Sequence, residues 1–309
     1  MKIAVAGGTG LIGQSLLKRF ITQGHDVVIL TRNKSNKKAG EGLSYVEWLK
    51  EGTRPETDLE GIDAFINLAG ENLNSGRWTE KKKAEILNSR IEASEESVRI
   101  IHALEKKPEV FINGSAVGYY GSSFTKIFTE SDEPGEGFLA DVVKQWEETA
   151  AKAPAAVRTV YSRFGVVLDP YEGALRKMLP AFRFYAGGKL GTGEQWMSWI
   201  HVDDVAKAIE FCIENTAIDG PVNFTAPNPE KMKNFGRTLA DVMNRPFWAP
   251  VPSLLLKGAL GEMSQLVLSS QKALPKKLQA HGFVFDYPQL YGALDSLIES
   301  PSKQTAKAK

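Results

Sequence analysis

The sequence predicts an α/β fold: a doubly wound parallel sheet followed by a smaller C-terminal lobe. Short buried apolar runs alternate with segments of helical period, and the first alternation turns on a glycine-rich joint. After residue 168 that rhythm breaks. Residues 2 to 6, KIAVA, form an apolar run of the kind buried on both faces of a parallel sheet. Residues 11 to 23 then carry Leu11, Ile12, Leu16, Leu17, Phe20 and Ile21 at helical spacing, and residues 26 to 31, DVVILT, read as a second strand. Strand, helix and strand with short joints make a βαβ unit, whose crossover is right-handed. Further strands are expected at 44 to 47, 62 to 67, 109 to 114 and 157 to 163, and helices at 79 to 104, 138 to 152 and 203 to 215. Such alternation calls for helices on both faces of one sheet.

The joint itself reads GGTGLIG, residues 7 to 13. Gly7 permits the tight turn out of the strand, Gly10 lets backbone approach a pyrophosphate, and Gly13 lets the helix pack on the sheet. Helix amides then face the phosphates, so Thr9, Leu11 and Ile12 join the three glycines as candidate cofactor contacts. This reads as the Rossmann arrangement for a dinucleotide, the plain alternative being a purely structural turn. An NAD site places an acid about 20 residues on, at the ribose. Here the second strand ends in Thr31-Arg32, followed by Asn33 and Lys34. Arg32 offers a planar donor fork to a 2′-phosphate, which favours NADP(H) over NAD(H). As a plain alternative, Arg32 and Lys34 are solvated loop charges.

From residue 169 to 200 the chain is rich in glycine and aromatics, and beyond 225 prolines separate short helical patterns. Residues 201 to 224 return to the sheet in this reading. The sheet domain therefore takes 1 to 168 plus 201 to 224, the substrate lobe 169 to 200 plus 225 to 300, and 301 to 309 form a flexible tail. Composition limits the function classes. Of 309 residues 42% are apolar and 24% charged, with a formal net charge of +1, so no global field draws in nucleic acid or an anionic membrane. One cysteine, Cys212, and four scattered histidines exclude structural zinc. The N-terminus lacks a secretory core and no apolar run approaches a membrane span, so a cytoplasmic protein is expected.

GGTGLIG, the NLAG at 67 to 70 and the GSAVGYYG at 114 to 121 resemble the extended short-chain dehydrogenase/reductases, which include nucleotide-sugar epimerases and dehydratases. The resemblance is nearest to an atypical branch known as epimerase family proteins. It extends over RWTEKKKAEILNSRI at 77 to 91, FLADVVKQWE at 138 to 147, GTGEQWMSWIHVDD at 191 to 204, and RPFWAPVP, LGE and GFVFDYP in the lobe. It implies that Leu68, Ala69 and Gly70 border the adenosine and pyrophosphate, and that Ser115 sits beside the nicotinamide. Asn67 either joins them or simply terminates its strand.

The same resemblance exposes a departure. Active members carry a Tyr and a Lys four residues apart on the helix after the fifth strand, where the lysine lowers the phenol's pKa. Phe138 and Val142 stand at those positions here. A literal Tyr185–Lys189 pair has AGG between its members and reads as chance. The remaining catalytic candidates are Ser115, to orient a substrate oxygen, and Tyr120 or Tyr119, to donate a proton; the alternative is that the tyrosines pack the loop wall. Arg163 is a candidate for binding an anionic group, or else a structural ion pair. Trp196 and Trp199 are candidates for a lid over a planar or apolar substrate, or else core. Asp203 is expected to cap a helix, and Lys81 to Lys83 to form an exposed helix face. Two readings stay open: hydride transfer between NADP(H) and a carbonyl or alcohol of a small molecule, and a non-catalytic NADP(H)-binding regulatory or sensing protein.

Overall fold

The computed structural model describes residues 1 to 35 and 37 to 298; the expected tail, 301 to 309, lies outside them. Seven strands form the main sheet: β1 (Lys2–Ala6), β2 (Asp26–Thr31), β3 (Leu43–Glu47), β4 (Ala64–Asn67), β5 (Val110–Ala116), β6 (Arg158–Phe164) and β7 (Gly220–Phe224). Their order is β3-β2-β1-β4-β5-β6-β7, and every neighbouring pair is parallel. Strand order reverses direction between β1 and β4. That is the switch point at which open α/β sheets leave a crevice beyond the strand ends.

The helices that matter for the site are α1 (Leu11–Thr22), α2 (Glu80–Ala103), α3 (Phe138–Ala150), α4 (Gly173–Arg183), α5 (Val202–Glu214), α6 (Met232–Met243), α7 (Ser253–Leu260) and α8 (Leu290–Leu297). Alternation along the strands divides the core in two. Ile3, Val5, Ile29 and Ile66 pack with Leu16 and Phe20 of α1 and Ile209 of α5. Ala4, Ala6, Val28 and Phe65 face the other way, against Val98 and Ile101 of α2. Helices on both faces are the physical reason these strands read as continuous apolar runs.

A third cluster unites residues on either side of the returning segment: Leu175, Leu179 and Phe182 of α4 with Trp199, Phe235, Leu239 and Leu294. Helix α4 is absent from the sequence expectation because Gly173 opens it and Pro180 lies within it. Pro180 is tolerated on a helix whose buried positions, Leu175, Leu179 and Phe182, recur on one face and anchor it.

Helix α5 corrects the expected cap. His201, not Asp203, is the N-cap, its Nδ1 accepting from the Asp203 amide at 3.1 Å. Nε2 therefore carries the proton and donates to Ser296 Oγ at 3.2 Å, while the ring stacks on Tyr287 at 3.8 Å. Asp204, fully buried, accepts the amides of Asp286 and Tyr287 at 2.8 and 3.0 Å. The HVDD segment thus fastens GFVFDYP to the sheet domain.

Candidate cofactor crevice and active site

Beyond β1 and β4 the two exit loops meet backbone to backbone. A Cβ on Gly7, whose φ is 77°, would fall 2.6 Å from the Leu68 carbonyl carbon, and one on Gly13 would fall 2.5 Å from the Gly7 carbonyl oxygen. Both glycines are demanded by the chain itself. Gly10 is different: its nearest would-be contact is Gly7 O at 3.5 Å, an ordinary van der Waals distance. Among the described residues nothing requires a glycine there, so the open face of Gly10 fits the close approach of a ligand. Thr9 and Gly10 are exposed, and no side chain caps or acid shields the first turn of α1. Its amides are free to meet an anion.

The opposite wall is the turn after β4. Asn67 is fully buried; its Nδ2 donates to Asn113 Oδ1 at 2.8 Å and its Oδ1 accepts the Ala69 amide at 3.1 Å. Its side chain therefore shapes the Leu68-Ala69-Gly70 turn rather than reaching a ligand. Against that turn lies Arg90 of α2, a residue the sequence reading passed over. A Cβ on Gly70 would come within 3.3 Å of the Arg90 side chain, whose guanidinium stacks on Trp146 at 5.1 Å. Arg90 Nη1 donates to the carbonyls of Glu71 and Ile86. Burial pulls its pKa down to about 10, with Glu71 opposing from a distance. An enclosed guanidinium satisfied chiefly by carbonyls keeps its positive charge available to an anion. Beyond β2 Arg32 is exposed, and residues 31 to 35 include two cations and no acid.

The other half of the sheet edge is closed on itself. Ser115, Arg163 and Asn223 are register partners on β5, β6 and β7, so their side chains line up at one level of one face. Glu147 of α3 meets them: Arg163 donates to it twice, Nε and Nη2 each at 2.8 Å, and Ser115 Oγ donates at 2.5 Å. Arg163 Nη1 also donates to Tyr120 Oη at 3.0 Å, and Tyr120 Oη in turn donates to Asn223 Oδ1 at 2.7 Å.

This arrangement places the expected site residues differently from the sequence reading. Arg163 is 2% exposed and spends its fork on Glu147, so it is an internal ion pair and not a substrate contact. Tyr120 is 3% exposed with its hydroxyl engaged on both sides, and burial pushes its pKa up to about 12. Ser115 is likewise buried. Tyr119 alone keeps partial exposure, its ring 3.5 Å from the Arg163 guanidinium, with its pKa raised by burial. Trp199 is fully buried core, its Nε1 donating to the Asn228 carbonyl, and so is no lid. Trp196 is partly exposed but covered by Lys272 at 4.2 Å.

Phe138 and Val142 share one face of α3 and pack with Trp78, Ile86, Met263 and Leu266. The Trp78 and Phe138 rings meet edge to face at 5.3 Å. RWTEKKK and LGE close the same seam: Arg77 donates to the carbonyls of Gly258 and Ala259, and Lys83 pairs with Glu262 at 3.1 Å. Lys82 pairs with Glu71 at 2.5 Å. Lys83 is thus a seam residue and Lys82 is half-buried against Glu71, so neither is the solvated face expected of them; Lys81 is exposed. Tyr185 follows the end of α4 at a φ of 61° and is 55% exposed, so its spacing to Lys189 carries no helical geometry.

Between the crevice and the lobe lies a cavity of about 550 Å³. Leu11 and Ile12 line it from the glycine loop, Gly165 to Val167 from the segment after β6, and residues of α4 and α7 from the lobe. Lys177 of α4 donates to the Asn74 carbonyl at 3.1 Å, tying the lobe to the loop beyond NLAG.

Glycine joint, switch-point crevice and lobe together have clear relatives. A model of the NAD dependent epimerase/dehydratase family matches residues 3–224, and a domain of unknown function, DUF1731, matches residues 251–297. The chain belongs to the NAD dependent epimerase/dehydratase family. It is 49% identical over 300 residues to the epimerase family protein YfhF of Bacillus subtilis, covering 96% of this chain and 98% of that protein. A human epimerase family protein, SDR39U1, crystallised with NADPH, superposes with a TM-score of 0.86 at 30% identity, covering 96% of this chain and 99% of the other. UDP-glucuronic acid 4-epimerase from Bacillus cereus, in complex with NAD, aligns over 100% of both chains with a TM-score of 0.76 but only 15% identity. That last likeness shows the fold alone. Among the described residues no helix is long and apolar enough to cross a membrane.

Proposed function

We propose that this family member is an NADP(H)-dependent oxidoreductase acting on the carbonyl or alcohol of a small molecule. One observation carries the reading: Leu11 and Ile12, which open α1 beside the unobstructed Gly10, also line the lobe cavity, so cofactor and substrate would meet there. When bound, NADP(H) would exchange a hydride with the substrate carbon; the protein supplies orientation and charge. The amides of Leu11 and Ile12 would hold the pyrophosphate, Arg90 would add a fixed cation beside Gly70, and Arg32 would take the 2′-phosphate. Residues 1 to 168 and 201 to 224 would bind the cofactor, and the lobe from 169 to 200 and from 225 onward would bind the substrate. Tyr119, the one tyrosine of its pair with exposed surface, is the residue of the three that would deliver a proton, and it would do so from outside the cavity's lining, while Ser115 and Tyr120 hold the buried network beside it.

The second reading, a non-catalytic NADP(H) sensor, is favoured by one specific observation. Phe138 and Val142 are packed into the lobe seam, where neither can move a proton. Titration by nicotinamide fluorescence tests what the two readings share. Wild type should bind NADPH roughly tenfold or more tightly than NADH, and Arg32→Ala should erase the preference, as loss of a charge-assisted fork implies. Equal affinities in the wild type would overturn the NADP(H) assignment. Turnover across a carbonyl panel, lost in Tyr119→Phe with cofactor affinity kept, would select the enzyme; tight binding without turnover would select the sensor.

A further inference from the structure

The cavity has a composition that bears on its ligand. Its lobe-side wall is built from Met178, Leu190, Met197, Met232, Met263 and Leu266. Among the described lining residues only two side chains are polar, Asn74 and Lys177, and Lys177 is exposed at the rim. Met263 and Leu266 also belong to the apolar cluster that holds Phe138 and Val142. The apolar wall is therefore continuous with the helix face on which the resemblance locates a Tyr and a Lys.

A nucleotide sugar would bring a diphosphate and a ring of hydroxyls into this space. One rim lysine cannot pair two phosphate charges, and polar groups taken from water without partners cost several kcal/mol. Methionine and leucine offer the opposite: adaptable surface for alkyl and aryl groups. The volume, about 550 Å³, is within the range of small-molecule sites. Leu11 and Ile12 form the cofactor's side of the space, which leaves the methionine-rich side to the substrate.

We infer that the substrate is a hydrophobic carbonyl or alcohol, with an alkyl or aryl body seated among Met178, Met197, Met232 and Met263, and that nucleotide sugars are excluded. The inference rests on the oxidoreductase reading for the position of the reacting carbon, but its test does not depend on turnover.

The full chain is first saturated with NADPH, followed by nicotinamide fluorescence, and then titrated with the neutral fluorescent probe N-phenyl-1-naphthylamine. Straight-chain alcohols and 2-alkanones of increasing length compete with the probe, as does UDP-glucose. Displacement should strengthen by roughly threefold to fourfold per added methylene until the cavity is filled, while UDP-glucose should displace nothing at millimolar concentration. Met178→Gln should weaken the longer competitors about tenfold by setting an amide in the wall, and Met178→Leu should stay within about twofold of wild type, both with unchanged NADPH affinity. Displacement by UDP-glucose, absence of chain-length dependence, or indifference to Met178→Gln would each overturn the inference. The chain-length series needs no variant, so a misfolded substitution leaves the test intact. Loss of NADPH binding in the first step would instead strike the oxidoreductase reading.

Discussion

The carboxyl edge of one sheet is finished in two opposite ways. At β1 and β4 side chains are withheld: Gly10 has room for a Cβ at ordinary contact distance, the first turn of α1 has no side-chain cap, and Arg90 leans on carbonyls. At β5, β6 and β7 five side chains, Ser115, Arg163, Asn223, Tyr120 and Glu147, answer one another, although Ser162 Oγ on the same strand as Arg163 is buried without a partner among the described residues. The first half leaves its amides and space unclaimed among the described residues, whereas the five side chains of the second claim one another. A buried, fully engaged network gives rigidity but leaves its members little freedom to meet a ligand.

The largest effect should come from breaking the second half. Glu147→Ala strands the Arg163 guanidinium, 2% exposed, without its carboxylate. Removing one member of a buried pair costs about 3 to 5 kcal/mol, so chemical denaturation should reveal that loss, while the surviving folded protein should still bind NADPH within about threefold. Neutral stability together with lost NADPH binding would show that the network belongs to the cofactor site.

The two glycines of the open half should then separate. Gly13→Ala drives a Cβ to 2.5 Å from Gly7 O and should lower stability by about 1 to 3 kcal/mol, the range for overpacking. Gly10→Ala meets nothing closer than 3.5 Å and should leave the melting temperature near wild type. Its NADPH affinity should nonetheless drop on the order of a hundredfold, about 2.7 kcal/mol. Equal thermal effects of the two substitutions would remove the distinction between a packing glycine and a ligand glycine.

The smallest effect concerns a buried polar group outside both halves. Burial lowers the His201 pKa below its ordinary 6.5, with Asp203 opposing. As pH falls, the unfolded chain therefore takes up its proton first. The neutral ring's contribution is whole above about 6.5 and drains away from there toward the folded-state value. Stability measured from pH 7.5 downward should show this slope in the wild type and lose it in His201→Gln. An unchanged slope would assign the acid sensitivity to other groups.

Much of the architecture was legible in the residues. KIAVA and DVVILT became β1 and β2 at the expected bounds, and the glycine joint lies between a strand and a helix as its spacing required. The glycines were readable because their reasons are local: a positive φ at Gly7 and close backbone approach at Gly13. The polar edge was less legible. Ser115, Arg163 and Asn223 are 48 and 60 residues apart along the chain and become neighbours through parallel register, which no short motif records. Arg90 was overlooked because an arginine on a charged helix gives no sign that it will lie against Gly70. Trp199 and Trp196, three residues apart, have different fates because one points into the lobe core and the other lies under Lys272.

The parallel sheet, the glycine joint between its first strand and helix and the lack of an acid just after β2 could be read from the residues alone, since each depends on periodicity, composition or the backbone freedom of single residues. It took the packed chain to commit Tyr120 and Arg163 to an internal network and to join Phe138 and Val142 to the methionine-walled cavity. Those outcomes depend on burial and on which side chains from distant segments satisfy one another. Both are properties of the packed chain, created when strands register and the lobe closes on the sheet.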